Sequence, residues 1–242
     1  MHALDLSFDT PEENLACDEA LLETCVAGES PLGVIRFWES PRPFAVVGFG
    51  GKVREDVFLD NCRADDIPVL RRVSGGGSVL QGPGCLNVSL VLPIDPGSPL
   101  STVHGTNAHI LDRNARALRE EFAAGIAARG LSDLALGDLK VSGSAQRRKR
   151  DWLLFHATLL YDFDLPRIDR ALPMPRRQPD YRKNRPHQEF VTNSGFHRAA
   201  IRSALLHAWN AELNGALPTA LVNRMARLVA TQYGRPDWNH RL

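Results

Sequence analysis

Apolar positions follow two periods along this chain, and the switches between them mark its elements. Leu15, Ala16, Leu22, Cys25 and Val26 recur at helical spacing. Thr10-Pro11-Glu12-Glu13 ahead of them supplies a cap, a first-turn proline and the glutamate of a capping box, and Gly28 closes the helix. Gly33 to Glu39 and Phe44 to Gly48 read as two strands across the Pro41-Arg42-Pro43 turn. A short helix is expected around Val57 to Cys62 and a strand from Ile67 to Arg72. Val79-Leu80 and Asn87 to Leu92 continue the sheet, with Gly82-Pro83-Gly84 turning between them. Leu111, Leu118, Phe122 and Ile126 place one long helix over Ser101 to Arg129, ended by Gly130. Beyond it, Gly137 to Gln146 and Trp152 to Tyr161 read as strands around a basic turn, Arg147-Arg148-Lys149-Arg150. Pro and Arg concentrate in a surface loop from Pro173 to Pro186, and two amphipathic helices, about Phe196 to Leu213 and Pro218 to Tyr233, close the chain. Strands joined largely by hairpins, with helices interspersed, argue an α+β fold with a mostly antiparallel sheet flanked by helices.

Composition narrows the partners. With 242 residues one large core can form, and nothing in the sequence calls for a second, so a single domain over 1–242 is expected. Apolar residues at 43% and charged residues at 24% exclude a disordered or fibrous chain. A net charge of +1 gives no global field to attract nucleic acid or a membrane surface. No apolar run approaches the ~18 residues of a membrane span, and no signal-peptide pattern follows Met1. Four cysteines, at 17, 25, 62 and 85, show neither C-x-x-C nor zinc-like spacing, which reads as reduced thiols in a cytoplasm and no metal site.

One stretch carries chemistry by residue type: Arg71-Arg72-Val73-Ser74-Gly75-Gly76-Gly77-Ser78. Three glycines permit positive φ and leave the backbone bare, so successive amides can converge on an anion, with arginine beside them. A tight turn with an ion-paired arginine fits the same letters. Neither nucleotide signature matches: Gly50-Gly51-Lys52 has Val46 and Val53 where a P-loop needs glycine and a hydroxyl, and Gly75 and Gly77 are followed by Leu80. Lys140 lies among apolar and small residues of a strand, as a functional cation or as a solvated strand lysine. His156 fits a donor or a satisfied core imidazole.

Three motifs stand in register: Arg71 to Gly77, then Lys140-Val141-Ser142-Gly143-Ser144-Ala145-Gln146, then Phe155-His156-Ala157-Thr158-Leu159-Leu160. With Asn14, Asp18, Glu19, Ala20 and Leu21 in the opening helix, the sequence resembles the biotin/lipoate protein ligase family in its lipoate-protein ligase branch. The resemblance runs from Asn14 to Asp237-Trp238-Asn239. It implies a class II aminoacyl-tRNA synthetase/biotin synthetase-like α+β domain that uses ATP, with Mg2+, to make lipoyl-adenylate from lipoate or octanoate. The acyl group would then pass to a lysine of an acidic lipoyl-accepting domain, of the 2-oxoacid dehydrogenase E2 or glycine cleavage H kind. On this resemblance Lys140 stabilises the charge growing on the acyl oxygen. Arg72, Ser74, Gly75, Gly76 and Gly77, with Asn87, hold the acyl entrance and the phosphate. Ser142, Gly143, Ala145 and Gln146 line the nucleotide side, completed by His156 and Thr158. His156-Ala157-Thr158 stands where the family often has His-Gly-Thr. The family's usual C-terminal accessory domain is not expected in these 242 residues, and some relatives supply it as a separate chain.

Other readings remain open at this point. An octanoyl or lipoyl amidotransferase needs no ATP but needs a cysteine thioester. No cysteine follows residue 86, so Cys85 is the one candidate nucleophile, with a small buried side chain as its plainer role. A biotin ligase would carry a Gly-Arg-Gly-Arg type cradle, absent here. A non-catalytic nucleic-acid binder would use Arg147 to Arg150 with Arg176, Arg177, Arg182, Lys183 and Arg185, against the balanced net charge. In the ligase reading, Arg148 and Arg150 are expected to face the acidic acceptor.

Overall fold

The computed structural model describes residues 1–30, 33–213 and 217–241, so the expected unit over 1–242 is traced except at 31–32, 214–216 and 242. β1 (His2–Asp5) precedes α1 (Pro11–Val26), where Thr10 and Glu13 form the anticipated capping box. β2 (Val34–Trp38) and β3 (Phe44–Val47) follow, but not as a hairpin, because they belong to different sheets. Pro41 and Pro43 offer no amide to a ladder, which suits a crossing between sheets. Two short helices, α2 (Val53–Asp56) and α3 (Leu59–Ala64), stand where one was expected, divided by extended backbone at Val57.

β4 (Val69–Arg71) and β5 (Val79–Gln81) flank β3 in a three-stranded sheet, and β6 (Cys85–Pro93) is a central strand of the main sheet. α4 (Val103–Phe122) is shorter than the apolar spacing indicates. Ala123 ends it in the left-handed region at φ +48°, and Ile126, counted above as a further helical turn, opens β7 (Ile126–Arg129). Spacing alone cannot separate these outcomes: Ile126 is buried either way, and pairing with β8 (Asp133–Leu136) decides for strand. β9 (Leu139–Lys149) absorbs Arg147 to Lys149, so the turn to β10 (Trp152–Leu160) is only Arg150-Asp151, with Arg150 at φ +53°. α5 (Pro166–Ala171), α6 (His187–Phe190) and α7 (Arg198–Ala208) lead to β11 (Glu212–Leu213), which takes the end of an expected helix as a strand beside β1. α8 (Thr219–Leu228), a π-turn over Val229–Tyr233 and α9 (Pro236–Asn239) complete the described chain.

The main sheet runs β11-β1-β2-β6-β10-β9-β8-β7. β1 lies parallel to both neighbours and the other pairings are antiparallel, giving the mostly antiparallel α+β fold with flanking helices. Its two faces differ. Ile35, Phe37, Leu86, Val88, Leu90, Leu153, Phe155 and Leu159 form one core with Ile110 and Leu118 of α4 and Ile201 of α7. On the opposite face Val34, Val91 and Leu154 pack with α1, α8 and the small sheet, but the middle of that face is polar. Among the described residues no helix is long and apolar enough to cross a membrane.

Candidate active site

Directly opposed residues of antiparallel strands share a face, so the register lays out the polar floor. One row runs Arg36 (β2), Ser89 (β6), His156 (β10) and Ala145 (β9); the next runs Trp38, Asn87, Thr158, Gly143 and, on β8, Asp133. Two of the three sequence motifs therefore meet through strand pairing. The glycine turn joins them from above: the Ser74 hydroxyl makes a short hydrogen bond with His156 Nε2, and a Cβ added to Gly76 would lie 3.8 Å from that of Ala145.

Arg72 acts on this turn in a way the sequence does not disclose. Its guanidinium is buried and donates to the carbonyls of Gly75, of Gly77 (2.8 Å) and of Val46 (3.4 Å), while Nε donates to Ser74 Oγ (3.0 Å). It does not extend outward to grip an anion. In a trans peptide the C=O and the following N–H point oppositely, so drawing the Gly75 and Gly77 carbonyls inward turns the amides of Gly76 and Ser78 outward. Among the described residues the amides of Gly75, Gly76 and Gly77 donate to no protein acceptor. Gly76 sits at φ +90°, where a side chain is strained, and Gly48 packs so closely that a Cβ there would lie 2.1 Å from the Gly76 carbonyl. Burial pushes Arg72 down to about 10, which still leaves it protonated at neutral pH.

Arg71, its sequence neighbour, points the other way. It donates to the carbonyls of Gly48, Phe49, Gly51, Trp238 and Arg241, and its own backbone is pinned by Asn239 and Trp238. Arg71 thus clasps the Trp238 to Arg241 segment behind the cradle, and Arg241 stacks on Phe49 and Trp238.

A bulge aims the lysine. Between Leu134 and Ala135 the register slips, so that Ser142 opposes Leu134 but Lys140 opposes Ala135, leaving Val141 extra. Lys140 consequently folds over Gly143: a Cβ on that glycine would lie 2.9 Å from Nζ. The ammonium pairs with Asp133 Oδ1 at 2.8 Å, and the phenol of Tyr181 donates to Asp133 Oδ2 at 2.9 Å. Burial first, then the Asp133 charge, raises the Tyr181 phenol, keeping it a neutral donor. Gly143 and Ala145 are two residues apart on one face of β9. Lys140 Nζ thus stands over Gly143 and the Gly76 turn over Ala145, two small residues about 7 Å apart along the strand.

Several expected site residues lie elsewhere. Gln146 opposes Phe155, so it faces the other side of the sheet, where it donates to Asn107 of α4 (2.6 Å) and the Val103 carbonyl (3.1 Å). Ser142 opposes Leu159 and is buried on that same far face. Neither lines the polar floor. Asn87 and Thr158 do, Thr158 donating weakly to the Gly143 carbonyl at 3.5 Å. Cys85 is wholly buried in a satellite core with Leu160 and Phe163, and burial, then the Glu39 charge, pushes its thiol far up. Burial raises the thiols of Cys17, Cys25 and Cys62 as well, so none of the four is a ready thiolate. The basic clusters are largely spoken for. Arg148 donates to Leu100 and Ser101 carbonyls, Arg176 pairs with Glu55 and Asp56, Arg182 is buried over Phe190, and Arg185 holds the Tyr181, Asp138 and Glu189 carbonyls. Arg148, Arg176, Arg182 and Arg185 thus have partners within the fold, whereas Arg147 and Arg150 are exposed.

The sequence reading gives no role to Asp133, Arg36 or Ser89, and knows Asp18 only as a motif letter. One signal was present: Arg36 interrupts the apolar run Val34-Ile35-Arg36-Phe37-Trp38, and a charge inside a buried strand demands a partner. That partner is Asp18, 2.7 Å away.

The fold is that of the lipoate ligases. It superposes on an archaeal bi-partite lipoate protein ligase from Thermoplasma acidophilum, studied with its E2 lipoyl domain, at a TM-score of 0.83 and 20% identity, covering 99% of this chain and 95% of the other. A lipoate-protein ligase A bound with ATP gives 0.83 at 22% identity, covering 99% and 98%. Within that class, residues 10–194 match the lipoyl protein ligase A/B catalytic domain, and the chain belongs to this family. A relative from Aeropyrum pernix named for lipoate-protein ligase A is 35% identical over 67% of this chain and 58% of its own length. The octanoyltransferase LipM of Clostridioides difficile is 28% identical over 64% of this chain and 63% of its own. The chain thus spans less than two thirds of either relative.

Proposed function

We propose that this chain is a cytoplasmic lipoate-protein ligase-like enzyme that activates lipoate or octanoate with ATP and passes the acyl group to a lysine of a lipoyl-accepting domain. The observation that carries this reading is that Arg72 holds the Gly75 and Gly77 carbonyls, which turns the amides of Gly76 and Ser78 outward near Ala145, while the Lys140 ammonium stands over Gly143, a position about 7 Å along the same strand. That span suits a phosphate at one end and an acyl carbonyl at the other. Ser78 Oγ, buried without a protein partner, fits the same demand for a polar ligand atom.

In the first half-reaction a carboxylate oxygen of the fatty acid attacks the α-phosphate of ATP, the bond to the β-phosphate breaks, and pyrophosphate leaves. Mg2+ enters with the nucleotide as its counter-ion. The cradle amides and Lys140 hold the reacting groups and meet the charge on both oxygens. In the second, the acceptor lysine attacks the acyl carbonyl; charge builds on its oxygen beside Lys140, then AMP leaves and an amide forms. Two partner chains belong to this reading: the acidic acceptor domain, met by the exposed Arg150, and a separate accessory subunit of the kind a bi-partite ligase uses. Incubation with ATP, Mg2+, lipoate and a lipoyl domain, first with the chain alone and then with the accessory subunit of a bi-partite ligase added, should add one lipoyl mass to the acceptor lysine; no adduct with lipoate or octanoate under either condition sinks the proposal.

The LipM relative keeps a thioester transferase as the second reading. It makes an opposite forecast for Cys85→Ala. With Cys85 enclosed, the ligase reading expects acyl transfer within several-fold of wild type and no acyl adduct on any cysteine by mass spectrometry. A dead variant, with an acyl adduct on wild-type Cys85 that chases to the acceptor, would establish the transferase.

A further inference from the structure

A buried chain of polar groups runs beneath the cradle. Arg36, wholly buried, donates Nη1 to Asp18 Oδ1 (2.7 Å) and to the Asn14 carbonyl (2.8 Å), Nη2 to Asn14 Oδ1 (2.7 Å) and Nε to the Leu6 carbonyl (3.1 Å). The other oxygen of Asp18, Oδ2, accepts from Ser89 Oγ (2.6 Å) and faces His156 Nδ1 at 3.8 Å. His156 Nε2 meets Ser74 Oγ, which in turn accepts from Arg72 Nε (3.0 Å). The line therefore ties α1 and three strands of the main sheet to the guanidinium that turns the cradle peptides.

We propose that Asp18 is a positioning residue that fixes the imidazole of His156 in its Nδ1–H form, so that Nε2 accepts the Ser74 proton and holds the cradle in its working geometry. Each end of the chain gives the same polarity. Arg72 is only a donor, so Ser74 Oγ accepts from it and has its own proton to give onward. Asp18 is only an acceptor, and a lone pair on Nδ1 facing that carboxylate would be repelled, so Nδ1 carries the proton. Burial alone would raise the Asp18 carboxyl, but Arg36, His156 and Ser89 together hold it below the ordinary carboxylate range, so it is anionic when the protein is active. Asp18 and His156 are far apart in the chain, and strand register brings Ser89 opposite His156.

The decisive variant is Asp18→Asn, because Arg36 dictates how it settles. Arg36 demands an oxygen on its side, which leaves the new amide NH2 aimed at Ser89 and His156. The imidazole then has to present a lone pair at Nδ1 and move its proton to Nε2, where Ser74 can no longer donate. The experiment is 15N NMR of His156 in the full chain at mildly alkaline pH, with steady-state kinetics alongside. The wild type should show the Nδ1–H neutral form, and D18N the Nε2–H form. The kinetic half rests on the acyl-adenylate reading: kcat should fall on the order of a hundredfold, as for a misplaced positioning group, with KM for the fatty acid within about twofold. The spectrum needs no assumption about the reaction, so a chain without ligase activity still tests it. An Nε2–H or doubly protonated His156 in the wild type overturns the proposal, as does D18N with an unchanged imidazole or an unchanged kcat. Should D18N fail to fold, the wild-type spectrum decides alone.

Discussion

Replacing Lys140 with arginine is expected to lower acyl transfer about a hundredfold or more while leaving the melting temperature near that of the wild type. Arginine keeps a charge for the buried Asp133 carboxylate, which now pairs with the ammonium at 2.8 Å, so the cost to folding is small. Its planar fork cannot follow the compact path over Gly143, where Nζ lies 2.9 Å from the position a Cβ would take. One misplaced charge at a developing oxyanion accounts for about 3 kcal/mol of lost transition-state stabilisation. Lys140→Ala should lose at least as much activity and also stability, because Asp133 would keep only Tyr181 and a weak Ser132 bond. Transfer from supplied lipoyl-adenylate, followed beside thermal melts of both variants, checks the pair of expectations. Wild-type rates in either variant would remove Lys140 from the chemistry.

Arg72→Lys is expected to be equally damaging by a different route. Lysine keeps the charge but cannot serve the Gly75, Gly77 and Val46 carbonyls and Ser74 Oγ at once, as the guanidinium does. Each buried acceptor left unpaired costs about 1–3 kcal/mol. The Gly75 and Gly77 peptides would be free to rotate, and the amides of Gly76 and Ser78 would no longer be held outward. Binding of a non-hydrolysable acyl-adenylate mimic, measured by calorimetry, should weaken on the order of a hundredfold, and the melting temperature should fall by several degrees. Were Arg72 a direct ligand of the anion, lysine would replace it with modest loss and unchanged stability, so the two roles separate cleanly.

What was legible in the sequence was what depends on residue type. Three consecutive glycines after a strand, a lysine among small strand residues and a capping box at Thr10 each announce a local geometry, and each stands where the letters put it. What stayed hidden depends on register. Ala145 and Gln146 are neighbours in one motif, yet strand alternation sends one to the cradle and the other to α4. Phase counted outward from His156 would have separated them, but the bulge at Val141 changes the phase again before Lys140, and no letter marks it. Asp133 is an ordinary acidic residue until β8 pairs it with Gly143, and β8 was missed along with its hairpin partner β7, whose Ile126 satisfied a helical period equally well. The arginines misled in the same way: Arg71 and Arg72 are adjacent, but one clasps the Trp238 segment and the other turns the cradle.

The most direct test of the ligase reading is pyrophosphate release by the purified chain supplied with ATP, Mg2+ and lipoate or octanoate, before any acceptor is added. The account expects release that requires the fatty acid, stops after roughly one equivalent when acyl-adenylate is retained in the site, and resumes when a lipoyl domain is supplied. A requirement for an added accessory chain would fit the same mechanism. No release under any of these conditions, together with acyl transfer from an octanoyl thioester donor through a cysteine adduct, would contradict it.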